Sequence, residues 1–129
     1  MNIPLLIGGV LGLLSVIMAA YVDHVLVLYL TGKPLSSVLV AIRYHQLYAL
    51  AVSLIGLTLP WQMHNQVKSW LTRTAYLFSV CIILFSFSIY ISAIFNILGI
   101  IRLAPVGGIL LIVGWLCLIR AALFRINTL

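Results

Sequence analysis

A chain of 129 residues that is 65% hydrophobic and 6% charged, with a mean hydropathy of +1.31, is too apolar for a soluble globular domain of its size, so a bilayer must be its solvent. A spanning helix needs roughly 20 mostly apolar residues, which leaves room for about four spans, short turns and no soluble domain. Seven basic residues against Asp23 alone give a net charge of +6; set singly and mostly beside span ends, they speak for orientation in a membrane and against nucleic acid as a partner.

The apolar stretch 5–20 ends in small residues but carries no basic n-region side chain, so it is expected to be a retained first helix and not a signal peptide. That helix is predicted over 4–30. Thr31, Gly32, Lys33 and Pro34 form a turn cluster after it, in which Pro34 bars Lys33 from helical geometry. Ser36 or Ser37 caps a second helix over 36–59, ended by Pro60 and a polar stretch over 61–69 that Trp61 and Trp70 bracket as interfacial anchors. A third helix fits 71–97. After Gly99 and Arg102 a fourth fits 103–124, with Pro105 in its first turn. Short turns make consecutive helices antiparallel neighbours, so the expected fold is all-α: an antiparallel four-transmembrane-helix bundle forming a single membrane domain over 1–129.

Four spans put both termini on the side of the 61–69 loop, with Lys68, Arg73, Arg120 and Arg125, and leave Lys33 and Arg102 opposite. The positive-inside rule then predicts that both termini are cytoplasmic. Gly8, Gly12, Ser15 and Ala19 form a close-approach face on the first helix, and Gly107, Gly108 and Gly114 supply another on the fourth, both expected to pack within the bundle, with a homo-oligomer seam as the alternative. Cys81 and Cys117 lie in apolar runs outside any metal-type spacing and are expected to pack as small hydrophobes.

Asp23, His24, Arg43, Tyr44, His45 and Gln46 are the candidate polar site. Ionisable groups at membrane depth cost at least ~2.5–3.5 kcal/mol each unless paired or hydrated. A hairpin centred between Lys33 and Pro34 would set Asp23 level with Tyr44 and His24 level with Arg43, placing the one acid of the chain beside an arginine. At ~1.5 Å per residue that layer lies about 15 Å from the turn, near the middle of a ~30 Å hydrocarbon core. If 25–36 instead runs partly along the membrane surface, the same residues sit at the outer interface. The cluster reads either as an Asp23–Arg43 ion pair locking two helices, with Tyr44, His24 and Gln46 supplying hydrogen bonds, or as a protonatable or ligand-binding site. His24 and His45 lie on different helices, with nothing in the sequence to bring them together as metal or haem ligands; no cofactor is expected. His64 falls in the polar loop, where it is solvated. Ser88, Ser92 and Asn96, four apart on the third helix, share one face that serves either interhelical hydrogen bonding or the lining of a polar pathway.

Four motifs stand in order: Ala19-Ala20-Tyr21-Val22-Asp23-His24, Arg43-Tyr44-His45-Gln46-Leu47-Tyr48-Ala49-Leu50, Phe85-Ser86-Phe87-Ser88-Ile89-Tyr90, and Pro105-Val106-Gly107-Gly108 running to Gly114-Trp115-Leu116. Together they resemble the YgdD/YwdK family of small bacterial inner-membrane proteins, a domain of unknown function related to a small eukaryotic transmembrane protein. The resemblance covers nearly the whole chain and implies the four-helix fold, a multi-pass place in the bacterial cytoplasmic membrane, and polar-site residues His24, Arg43 and Tyr44. The chain departs from the family pattern at Asp23, where a small residue is usual, at Tyr48, where histidine is usual, at Phe87, which replaces a glycine, and at Ala104, which replaces a threonine.

The function expected from these features is non-enzymatic association within the bilayer, with itself or with a larger membrane complex, through the glycine faces. The alternative is an oligomeric small transporter or channel using the Asp23, His24 and Arg43 layer, since a lone membrane acid in a four-helix protein is a layout shared with small multidrug exporters. No paired-carboxylate site, nucleophile motif or phosphate-binding glycine loop points to an enzyme.

Overall fold

The structure, a computed structural model, describes residues 1–124, so Arg125 of the charge count lies outside the described residues. It contains four helices long and apolar enough to cross a membrane, as a multi-pass membrane protein requires: α1 (Ile3–Tyr29), α2 (Gly32–Trp61), α3 (Asn65–Phe95) and α4 (Leu98–Ala122). Asn2 caps α1 by accepting from the Leu5 N–H, and Pro4 fits the first turn, where its missing N–H leaves no bond unmade. The Asn2 side chain also donates to the Gly56 carbonyl at 2.7 Å, tying the start of α1 to the far end of α2.

The turn between α1 and α2 differs from the expected one. Leu30 and Thr31 are extended, and Gly32, at φ +63, opens α2 with Lys33 and Pro34 already in its first turn. A proline there sacrifices no helical hydrogen bond, so Pro34 does not delay α2 to residue 36. At the other end, α2 closes in a 3-10 turn, Leu59–Trp61, and α3 begins at Asn65, ahead of the expected 71. The polar residues read as loop are the first turns of a helix, with Val67, Trp70 and Leu71 partly buried. Asn96 ends α3 in the left-handed region at φ 54, a conformation asparagine tolerates, and α4 opens with a 3-10 segment, Leu98–Arg102.

α1 packs along α2 and α4 along α3, with α2 and α3 as the central pair. In keeping with this, 22% of the most apolar window is buried in each of α1 and α4, against 44% in α2 and 50% in α3. Glycines set the two outer contacts. A Cβ at Gly8 would come within 2.7 Å of the Ser53 backbone nitrogen, and one at Gly107 within 2.7 Å of that of Phe85, so the backbones approach as only glycine permits. Gly114 is likewise closed by Phe78, whereas Gly12 and Gly108, expected on the same packing faces, meet nothing within 4 Å.

Two apolar clusters fill the interior. One, towards the termini, gathers Leu11, Tyr48, Val52, Phe78 and Leu111; the other, towards the α1–α2 turn, gathers Val22, Val38, Ile42, Ile89 and Ala104. Phe87 packs against both. Two short π-helical segments, Val22–Leu26 in α1 and Ile83–Phe87 in α3, interrupt the regular helices.

Candidate functional site

Burial along α2 recurs every three or four residues, at Val38, Ala41, Ile42, His45, Tyr48, Ala49 and Val52. Of the four polar residues expected on this helix, only His45 falls on that stripe and is buried. Arg43, Tyr44 and Gln46 are exposed, as are Asp23 and His24 on α1.

The hairpin register explains why Asp23 and Arg43 do not meet. Gly8 packs on Ser53 and Leu5 on Gly56. Extending that register along the pair sets Asp23 level with Val38, and Arg43 level with Met18. The two charges therefore stand about five residues apart in depth, roughly 7.5 Å at the helical rise, and no ion pair joins them among the described residues. The expected Asp23–Arg43 lock rested on a turn centred three residues later than the observed one.

The buried polar group is instead His45 with Tyr90, brought together by α2 and α3. The His45 Nδ1 lies 3.1 Å from the Tyr90 hydroxyl, while its Nε2 has no hydrogen-bonding partner among the described residues. Phe87 covers the imidazole at 5.3 Å between ring centroids. One turn before Tyr90, Ser86 lies in the π-helical segment, fully buried, and donates across the interface to the Ala41 carbonyl at 2.8 Å. Most other buried hydroxyls, such as Ser15, Thr74 and Ser79, are satisfied by carbonyls of their own helix. His45 and Ser86 thus carry the polar links between α2 and α3. Tyr90, Ser86 and Phe87 are residues that sequence reasoning left without a role. A second link joins α4 to α2, where the Trp115 indole donates to the Tyr48 hydroxyl at 2.8 Å over the edge of Phe78.

The serine stripe of α3 divides. Ser88 is buried and bonded to the Phe85 carbonyl, whereas Ser92 and Asn96 line a cavity of about 320 Å³ at the end of the molecule that holds the α1–α2 turn. Lys33, Ser37, Ile89 and Leu98 line the same cavity, whose lining is mostly apolar. No group of three His, Cys, Asp or Glu side chains that could hold a metal ion occurs among the described residues.

The exposed polar residues form a second feature, on the outside. Leu39, Arg43, Gln46, Leu50 and Leu57 are exposed on α2 at intervals of three, four or seven residues, with half-buried Ser53 completing the row. Leu6, Gly9, Leu13, Val16, Ala20 and Asp23 make an equivalent exposed row on α1. Both rows face the same side of the hairpin. Leu6 follows Leu5, and Leu57 follows Gly56, which is packed on Leu5; Gly9 follows Gly8, which is packed on Ser53. In an antiparallel pair, one step forward on either helix turns the side chain to the same flank, because one helix winds clockwise and the other anticlockwise when both are viewed from one end. Arg43 stands near the middle of its span on this flank, among exposed leucines.

Comparison with known proteins finds no match among curated proteins or solved structures. A family model described as a protein of unknown function, DUF423, matches residues 18–108, a stretch that contains Asp23, Arg43, His45, Ser86 and Tyr90. The chain belongs to the DUF423 family of proteins of unknown function.

Proposed function

We propose that this protein works without enzymatic chemistry, as a YgdD/YwdK-like protein of the bacterial inner membrane that acts by associating with another membrane protein through the outer flank of the α1–α2 hairpin. Arg43 carries the reading. An arginine exposed among Leu39, Leu47 and Leu50 near the centre of a span would cost at least ~2.5–3.5 kcal/mol facing lipid, and a partner that covers and pairs it removes that cost. The glycine contacts expected to drive association are spent on packing within the molecule at Gly8, Gly107 and Gly114, which leaves the hairpin flank as the association surface. Both termini face the cytoplasm in this reading, with Lys68, Arg73 and Arg120 on that side. The exposure of Asp23, His24 and Arg43 also suits the alternative of an oligomeric transporter or channel, in which copies would enclose these residues between them.

The test is photo-crosslinking in native membranes, with the reactive side chain placed at Val16 or Leu50 on the flank, or at Ile112 on α4. Protein adducts of discrete mass from Val16 and Leu50, and lipid adducts alone from Ile112, support the reading. Lipid adducts at all three positions would overturn it.

A further inference from the structure

We infer that the partner covering this flank is a second copy of the same chain, apposed so that Arg43 of each copy pairs with Asp23 of the other; this rests on the association reading above. Asp23 is the only acidic residue in the sequence, and it lies exposed on the same flank as Arg43 without pairing to it. A foreign partner would have to bring both an acid for Arg43 and a base for Asp23. A second copy brings both already spaced.

A twofold axis along the membrane normal keeps equivalent residues of two copies at equal depth, so across the interface the two charges differ by the same roughly 7.5 Å as within one chain. The direction of the side chains closes that gap. Helical side chains lean towards the N-terminus of their own helix. On α1 this carries the Asp23 carboxylate towards the depth of Met18, and on the antiparallel α2 it carries the Arg43 guanidinium towards the depth of Val38, so the two converge. The isologous arrangement forms this pair twice and leaves neither charge facing lipid.

The surface between the charges suits close helix contact. Leu6, Gly9, Leu13, Val16 and Ala20 alternate at three and four residues, the spacing of side chains that interdigitate between helices. Gly9 and Gly12 meet nothing within 4 Å in the single chain, so the surface there is open for another backbone to approach.

The experiment is co-purification of two differently tagged full-length copies from membranes in a mild detergent, with wild type, Asp23→Arg and Arg43→Asp. Wild type should recover wild type. Paired with itself, Asp23→Arg opposes arginine to arginine and Arg43→Asp opposes acid to acid, so each should lose about tenfold or more of its self-association. Asp23→Arg mixed with Arg43→Asp restores both opposite-charge contacts, and its recovery should return to the wild-type level; a variant that merely misfolded could not be rescued by mixing. Failure of the mixed pair to associate, or wild-type self-association of both single variants, would overturn the inference. Recovery of wild type with a different membrane protein and without its tagged twin would overturn the second-copy assignment while leaving the association reading standing. Wild type recovered alone would end both.

Discussion

The Nδ1 of His45 on α2 and the hydroxyl of Tyr90 on α3 lie 3.1 Å apart in the interior, and Nε2, on the far side of the same ring, is buried without a partner among the described residues. An imidazole with one nitrogen bonded depends heavily on that single bond. Tyr90→Phe leaves both ring nitrogens unpaired and should destabilise the protein by about 1–3 kcal/mol. The double replacement His45→Phe/Tyr90→Phe removes the polar groups on both sides and should be less destabilising than the sum of its singles. A double-mutant cycle of unfolding in detergent micelles measures the difference; strict additivity would show that the pair is not coupled.

Gly107 and Gly12 make an internal comparison. A methyl at Gly107 would press on the Phe85 backbone nitrogen at 2.7 Å and the Cys81 carbonyl oxygen at 3.0 Å, whereas one at Gly12 meets nothing. Gly107→Ala should therefore destabilise the monomer by about 1–3 kcal/mol through forced separation of α3 and α4. Gly12→Ala should be neutral or slightly stabilising, as alanine has the higher helix propensity. Equal thermal stability of the two variants would contradict the packing described.

The Trp115 indole donates to Tyr48, so Tyr48→Phe strands a donor on a side chain that is 45% exposed. The expected loss is about 0.5–1.5 kcal/mol. In a background of Trp61→Phe and Trp70→Phe, where Trp115 alone emits, the same change should shift the fluorescence maximum. An unchanged spectrum would mean that the indole bond is absent in the membrane.

The four spans were legible because runs of about 20 apolar residues admit little else, and His45 could have been singled out by its place among Val38, Ile42, Ala49 and Val52 at three- and four-residue spacing. The register of the first hairpin was not legible. Pro34 reads as a boundary in sequence, but the turn was made by extended Leu30 and Thr31 and by Gly32 at positive φ, and moving its centre by three residues separates Asp23 from Arg43. Asn65 was hidden for a different reason, since the polar first turns of a helix emerging from a membrane resemble a loop. The π-helical segments that carry Asp23 and Ser86 have no signature that periodicity detects.

Topology is tested by single cysteines at Gln66 and Gly99 in a chain carrying Cys81→Ala and Cys117→Ala. In intact cells an impermeant thiol reagent should label the Gly99 position, and should reach the Gln66 position only after permeabilisation. The reverse pattern would invert the orientation.

The association surface is tested most directly by disulfide scanning in native membranes, again without the native cysteines. Because the twofold sets α1 of one copy against α2 of the other, copies with a single cysteine at Leu13 or Val16 are co-expressed with copies carrying one at Leu50 or Gln46; Leu14 and Tyr44 point off the flank, and Ile112 lies on α4. A disulfide forms only where two Cβ atoms approach to about 3.5–4.5 Å, so the yield of crosslinked dimer reports proximity position by position. Strong crosslinking is expected between Leu13 and Leu50 and between Val16 and Gln46 of different copies, and little between Leu14 and Tyr44 or from Ile112 with its twin. Maximal crosslinking at Ile112, or yields that do not follow the three- and four-residue spacing of the flank, would contradict this arrangement.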